Sequence, residues 1–203
     1  MKKWSVTAIL TVILAFSACT HNVYLSPNPR LPEREKINVD VGLFVDRAQI
    51  AQRYTYGGSC FLGVANEWIV ETGPAVRLTA ERAFKAIFAR VEVLENMSDF
   101  AARKDLALLI VPKIDAFTLA SETKANITIS CDIMNQAGAT VYHGAIPAVG
   151  LADAGDSAAI YFLGALSGES ALSNTADDAF AKAFVFLADD ILKKVDFIPY
   201  LKK

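Results

Sequence analysis

Cys19 is the residue best placed for chemistry in this chain. It closes the run Ala15-Phe16-Ser17-Ala18-Cys19, after an apolar stretch (residues 6–16) that follows Lys2 and Lys3. A charged start, an apolar segment and small residues before a cleavage point describe a secretory signal rather than a fold element. The stretch is too short for a membrane-crossing helix, which needs roughly 20 residues. Ser17 and Ala18 fit the narrow pocket of a signal peptidase. A thiol just beyond them can accept a diacylglycerol. Ordinary cleavage after Ala18 would instead leave an unpaired N-terminal thiol in an oxidising space.

The run resembles the bacterial lipobox, Leu-Ala/Ser-Gly/Ala-Cys, with Phe16 in place of the usual Leu. The resemblance implies removal of residues 1–18 and acylation of Cys19. Each buried methylene of the acyl chains adds about 0.8 kcal/mol to membrane attachment.

The other reactive residues assemble into nothing comparable. Gly168-Glu169-Ser170-Ala171-Leu172 begins like a nucleophile elbow, but Leu172 stands where the final Gly belongs, and no His follows His143. His143 has no patterned Ser or Cys partner, and His21 sits in a Pro-bearing segment. Asp153 and Asp156 flank Gly155 without the dense oxygen ligands of a calcium loop. Phosphate-loop and dinucleotide Gly patterns are absent. With Cys19 assigned to lipid, Cys60 and Cys131 remain and can form one bridge in an exported compartment. Alternatively Cys131, in Ile127-x-Ile129-x-Cys131-x-Ile133, is a small buried apolar residue. Two Cys and two scattered His are too few for zinc. The expectation is therefore a non-enzyme without metal or cofactor.

Composition excludes other classes. Lys and Arg number 20 against 22 Asp and Glu, a net charge of −2, and loss of Lys2 and Lys3 makes the remainder more acidic. No basic excess serves nucleic acid or an anionic membrane surface. An apolar content of 53% argues for a packed domain.

Residues 19–36 carry Pro27, Pro29 and Pro32 and read as an extended tether, which in polyproline form reaches roughly 50 Å. Residues 37–203 then form a single domain. Val39, Val41, Leu43 and Val45 alternate with Asp40, Gly42 and Asp46, the pattern of a half-buried strand. Residues 47–58 read as a loop and Cys60–Thr72 as a second strand. Gly73-Pro74 opens a helix with the stripe Val76, Ala80, Ala83, Phe84, Ile87 and Phe88. Val91 and Val93 start a strand. Leu106–Val111, apolar on both faces, reads as a central strand continuing to Leu119. Ala125–Met134 and Ala139–His143 form a hairpin about Asn135–Gly138. Asn174–Lys194 is a helix with the stripe Ala176, Phe180, Ala183, Phe184, Leu187 and Ile191. Ser173 or Asn174 would cap it, and Asp189-Asp190 would lie on its solvated face. The fold expected is two-layer α+β, a mixed, mostly antiparallel sheet with two amphipathic helices on one face.

Between hairpin and final helix, Ala158–Leu166 is continuously apolar. Ile160, Tyr161, Phe162 and Leu163 within it are candidates for a partner-binding or membrane-touching loop, or for a cover on the sheet.

Cys19, the Pro-bearing segment, the Val39-x-Val41 strand, the hairpin around Gly138 and the terminal helix together resemble small bacterial α+β envelope lipoproteins. Among these are YajG-like lipoproteins, auxiliary lipoproteins of ABC-type transport systems and the lipopolysaccharide-assembly lipoprotein. The resemblance implies a lipid-anchored accessory or assembly factor of an envelope protein complex on the periplasmic face of the outer membrane. Thr20, in place of an inner-membrane retention Asp, agrees with that destination. The alternative is a carrier of lipid or another small apolar ligand, with a cavity between helices and sheet lined by Phe84, Phe88, Phe180 and Phe184.

Overall fold

Strict alternation along residues 124–135 sends Ala125, Ile127, Ile129, Cys131 and Ile133 to one face and Asn126, Thr128, Ser130 and Asp132 to the other. That period of two makes a strand with one wet face. The computed structural model describes residues 19–59, 65–152 and 168–202. In it the alternating segment is the fourth strand of a five-stranded sheet.

In chain order the elements are β1 (Cys19–Val23), β2 (Ile37–Phe44), α1 (Arg47–Ile50), β3 (Tyr54–Ser59), β4 (Ala65–Val70), α2 (Thr72–Ile87), β5 (Phe88–Leu94), α3 (Met97–Ala102), β6 (Leu108–Ser121), β7 (Lys124–Asn135), β8 (Thr140–Leu151) and α4 (Gly168–Lys194), with a 3₁₀ turn at Ile198–Tyr200. The large sheet has the order β5-β2-β6-β7-β8 and a second, three-stranded sheet the order β1-β4-β3. β5, β2 and β6 run parallel, whereas β6, β7 and β8 form an antiparallel meander. The fold is α+β, and both sheets are mixed.

The main core lies where α2 and α4 cover one face of the large sheet. Val76, Ala80, Ala83, Phe84 and Ile87 of α2, and Ala176, Phe180, Ala183, Phe184, Leu187 and Ile191 of α4, are all fully buried. Both expected stripes therefore face the sheet. Phe84 stacks edge-on against Phe184 with ring centroids 6.3 Å apart. Each such side chain contributes roughly 1.5–3 kcal/mol by leaving water. β8 approaches α4 so closely that a Cβ on Gly150 would lie 2.1 Å from the Thr175 carbonyl oxygen.

β2 departs from the half-buried pattern expected of it. Asp40 is 2% exposed, and Val39 through Val45 are buried. The reason is a second, smaller core on the opposite face, where α3 covers Phe44, Leu94, Phe100, Leu106 and Leu109. A central parallel strand between β5 and β6 is enclosed on both sides.

Residues 47–58 were expected to be a loop, yet they hold α1 and most of β3. Asp46 caps α1 through its carboxylate, which accepts from the Ala48 N–H at 2.7 Å. The Gln49 side chain then satisfies the Ile114 N–H at the bulge in β6. α4 begins at Gly168 rather than Asn174. Ser173 is consequently inside the helix, where its hydroxyl donates to the Tyr24 carbonyl at 3.3 Å.

Candidate functional site

β1 holds the candidate lipidation residue. Its first residue, Cys19, pairs in parallel register with Asn66 of β4, and the ladder continues to Val23 opposite Val70. His21 stacks on Trp68 with ring centroids 4.5 Å apart and planes 24° from parallel. Trp68 and Val70 face the core, so β1 is fixed by apolar cover as well as by its ladder.

Beyond β1 the chain does not stand away from the domain as a tether would. Val23, Leu25, Pro27 and Pro29 are buried, while Asn22, Tyr24, Ser26, Asn28 and Arg30 are exposed. The segment is extended, as its prolines require, but every second residue packs inward. It forms a strap along the helices. The Ser26 N–H donates to Asp177 of α4 at 2.9 Å, and Arg82 of α2 donates to the Pro27 carbonyl at 2.6 Å. Further along, Arg34 pairs with Asp189 at 3.4 Å.

Strap and α4 enclose a polar-rimmed groove of about 570 Å³, lined by Ser26, Asn28, Arg30, Asp177, Lys182 and Phe186 among others. Partial burial pushes the Asp177 carboxyl up to about 6, against the opposing pull of the Ser26 N–H and Arg82. Asp177 therefore changes charge in a mildly acidic range while holding the strap.

The other sequence candidates fall in separate places. Ile160, Tyr161, Phe162, Leu163 and Cys60 lie outside the described residues. Cys131 carries a free, buried thiol in the main core, and burial raises its pKa strongly. His143 sits on the open sheet face opposite Asp132, its Nδ1 2.7 Å from the carboxylate, with the His side chain 70% exposed. Ser130, on the same face, donates to Asp115 at 2.9 Å. A flat, wet surface of this kind neither excludes water nor converges on a reacting atom. Among the described residues no three His, Cys, Asp or Glu side chains gather at metal-ligating spacing. Phe84, Phe88, Phe180 and Phe184 are each at most 1% exposed, with Phe84 packed on Phe88 and Phe184 and Phe180 on Phe117, so they fill the space expected to form a carrier's cavity.

Two polar roles were invisible to local pattern. Asp190, expected on a solvated helix face, accepts from the buried Tyr142 hydroxyl at 2.7 Å. Asp40 receives Lys202 at 2.6 Å and Arg90 at 3.5 Å, tying the C-terminal segment to the sheet end. Their partners lie 48, 162 and 50 residues away, beyond any periodicity.

No family model matches the chain, and no curated protein matches it in sequence. Among solved structures, a PelC dodecamer from Paraburkholderia phytofirmans is 14% identical, covering 75% of this chain and 91% of that one, with a TM-score of 0.44. A point variant of the same PelC dodecamer is 12% identical over 77% and 93%, with a TM-score of 0.43. A provisionally designated lipoprotein from Caulobacter crescentus CB15 is 13% identical over 60% and 84%, with a TM-score of 0.30. Likenesses this distant carry no argument about what this chain does. Among the described residues no helix is long and apolar enough to cross a membrane.

Proposed function

We propose that this chain is an exported lipoprotein, acylated at Cys19 and held at the periplasmic face of the outer membrane. There it acts as a non-catalytic accessory or assembly factor of an envelope protein complex. The observation that carries the reading is the run Ala15-Phe16-Ser17-Ala18-Cys19, which follows a charged start and an apolar stretch. Cys19 itself lies in β1, paired with Asn66 of β4.

Two features support a contact role over a carrier role. The main core is filled by the phenylalanines that a ligand cavity would have needed. Among the described residues β8 is an edge strand of the large sheet, with Val149 and Leu151 exposed at 43% and 55%. An edge of this kind can accept an added strand from a partner, and Pro147 in mid-strand limits indiscriminate pairing.

The test is fractionation of the native envelope with mass analysis of the N-terminal peptide. Wild-type protein should carry acyl mass on Cys19 and sediment with membranes, and Cys19→Ser should release it. Unchanged membrane retention of Cys19→Ser would overturn the anchor. Crosslinking in the same envelopes should recover a protein partner whose yield falls in Val149→Lys. A co-purifying lipid with no protein partner would favour the carrier.

A further inference from the structure

We infer that the end of the domain bearing Cys19 seats directly on a lipid bilayer, with no slack chain between anchor and fold. This rests on the lipidation proposed above and adds an orientation and a contact surface to it.

The direction of each element defines the two ends of the molecule. β6 runs from Leu108, paired with Asn135 beside the Gly138 turn, to Ser121, paired with Lys124. Its 14 residues span roughly 45 Å. β3 starts near the later part of β6, where the Tyr54 hydroxyl accepts from the Leu119 N–H. The start of α4 lies at the same end, where the Thr175 hydroxyl donates to the Glu122 carbonyl in the β6–β7 turn at 3.0 Å. β3 continues from Tyr54 to Ser59, which pairs with Ala65. Cys19 pairs with Asn66 at this same extremity. The Gly138 hairpin is at the other.

The strap confirms the polarity. Its contacts with α4 proceed from Tyr24 at Ser173, through Ser26 at Asp177, to Arg34 at Asp189. From Cys19 to Arg34 the chain travels away from this extremity along α4, so no stretch of it serves as a leash. Acyl chains on Cys19 therefore enter a bilayer at the outermost rung of the β1–β4 ladder. Asn66, one strand over, follows at a spacing of about 4.8 Å. Among the described residues, those of this rung and its neighbours (Cys19, Ser59, Ala65 and Asn66) carry no charge, so they bring no ion to be stripped of water at the contact.

Trp68 provides the reporter. Once residues 1–18 are removed it is the single tryptophan, since the other is Trp4. It pairs with His21, two residues inward from Cys19, or roughly 7 Å along the strand.

The experiment uses the full acylated protein in phosphatidylethanolamine and phosphatidylglycerol vesicles, some of whose lipids carry a headgroup nitroxide that quenches tryptophan at short range. Trp68 emission should be lost in the vesicles, whereas the doubly substituted Trp68→Phe, Ala137→Trp protein should keep its emission. A Gly-Ser spacer between Cys19 and Thr20 should restore Trp68 emission without stopping flotation with the vesicles. Full flotation and acyl mass with unquenched Trp68 would overturn the seating and leave the anchor standing. Quenching that survives the spacer would overturn the direct connection as its cause. Absence of acyl mass on Cys19 would overturn both anchor and seating.

Discussion

Between the large sheet and its helices, Phe84 touches both Phe88 and Phe184, and Phe180 leans on Phe117 at 5.8 Å. Along the strap, Leu25, Pro27 and Pro29 are also buried, yet what sets their register is polar: Ser26 on Asp177, Arg82 on Pro27, Arg34 on Asp189. Core contacts are mutual and many-sided, so losing one side chain leaves a void that the others relax into only partly. Strap contacts are in series, and each fixes one short stretch of chain. The domain's stability and the placement of Cys19 are thus set by different residues, and one can be altered without the other.

The sharpest way to break this division is at Phe84. Phe84→Ala should cost about 3–5 kcal/mol in urea unfolding, since it removes a fully buried ring with two aromatic neighbours. A loss as small as that of a strap variant would show that the core is not the seat of stability. Gly150→Ala comes next. Its new Cβ would press on the Thr175 carbonyl oxygen and the Ala179 nitrogen, backbone atoms that cannot swing aside. A destabilisation of about 1–3 kcal/mol is expected, with the same unfolding midpoint as wild type as the contrary result.

Arg82→Ala probes the strap instead. It removes the donor to Pro27 and should weaken docking by about 1 kcal/mol. Amide hydrogen exchange should rise at residues 24–31 and stay unchanged in β7. Faster exchange in both would join what the comparison separates.

The smallest effect expected is the pH dependence of the strap. Asp177 is raised to about 6 in the folded protein, above its ordinary value of 3.8. A carboxyl raised in this way binds its proton more tightly when docked. Its contribution to docking is therefore greatest below 3.8 and is lost as pH rises through about 6. Exchange at residues 24–31, corrected for intrinsic rates, should be slower at pH 5 than at pH 7.5. Asp177→Asn should flatten the difference, and an unaltered slope in that variant would assign the effect to another group.

The helices and the meander were legible because their signals are local and repeated. Every residue of the α4 stripe from Ala176 to Ile191 is buried as its spacing requires. Gly138 adopts φ +77° in the turn where a residue without a Cβ was expected. β2 misled because Asp40 and Gly42 imitate a solvent-facing set. Asp40 is buried against Arg90 and Lys202, and Gly42 leaves room for Leu94, whose Cδ1 would be 2.9 Å from an added Cβ.

The strap misled for the opposite reason, because its composition outweighed its pattern. Pro27 and Pro29 suggest a spacer, yet with Val23 and Leu25 they form a run of period two that places one apolar side chain inward at each step. That signal was available. The placement of Cys19 in a second sheet was not, because its partner strand β4 lies some distance along the chain and the ladder rests on backbone groups that every residue carries.

The parallel register of β1 on β4 has a mechanical meaning. A pull on Cys19 away from the domain acts along the axis of β1, across the direction of its ladder bonds. All rungs from Cys19 to Val23 then share the load in shear rather than opening one after another. Behind them the strap lies along α4, so slack appears only after the whole ladder has yielded at once. With Cys19 acylated as proposed, drag on the protein in a moving membrane would meet a stiff joint that fails abruptly, instead of a spring that lengthens by degrees.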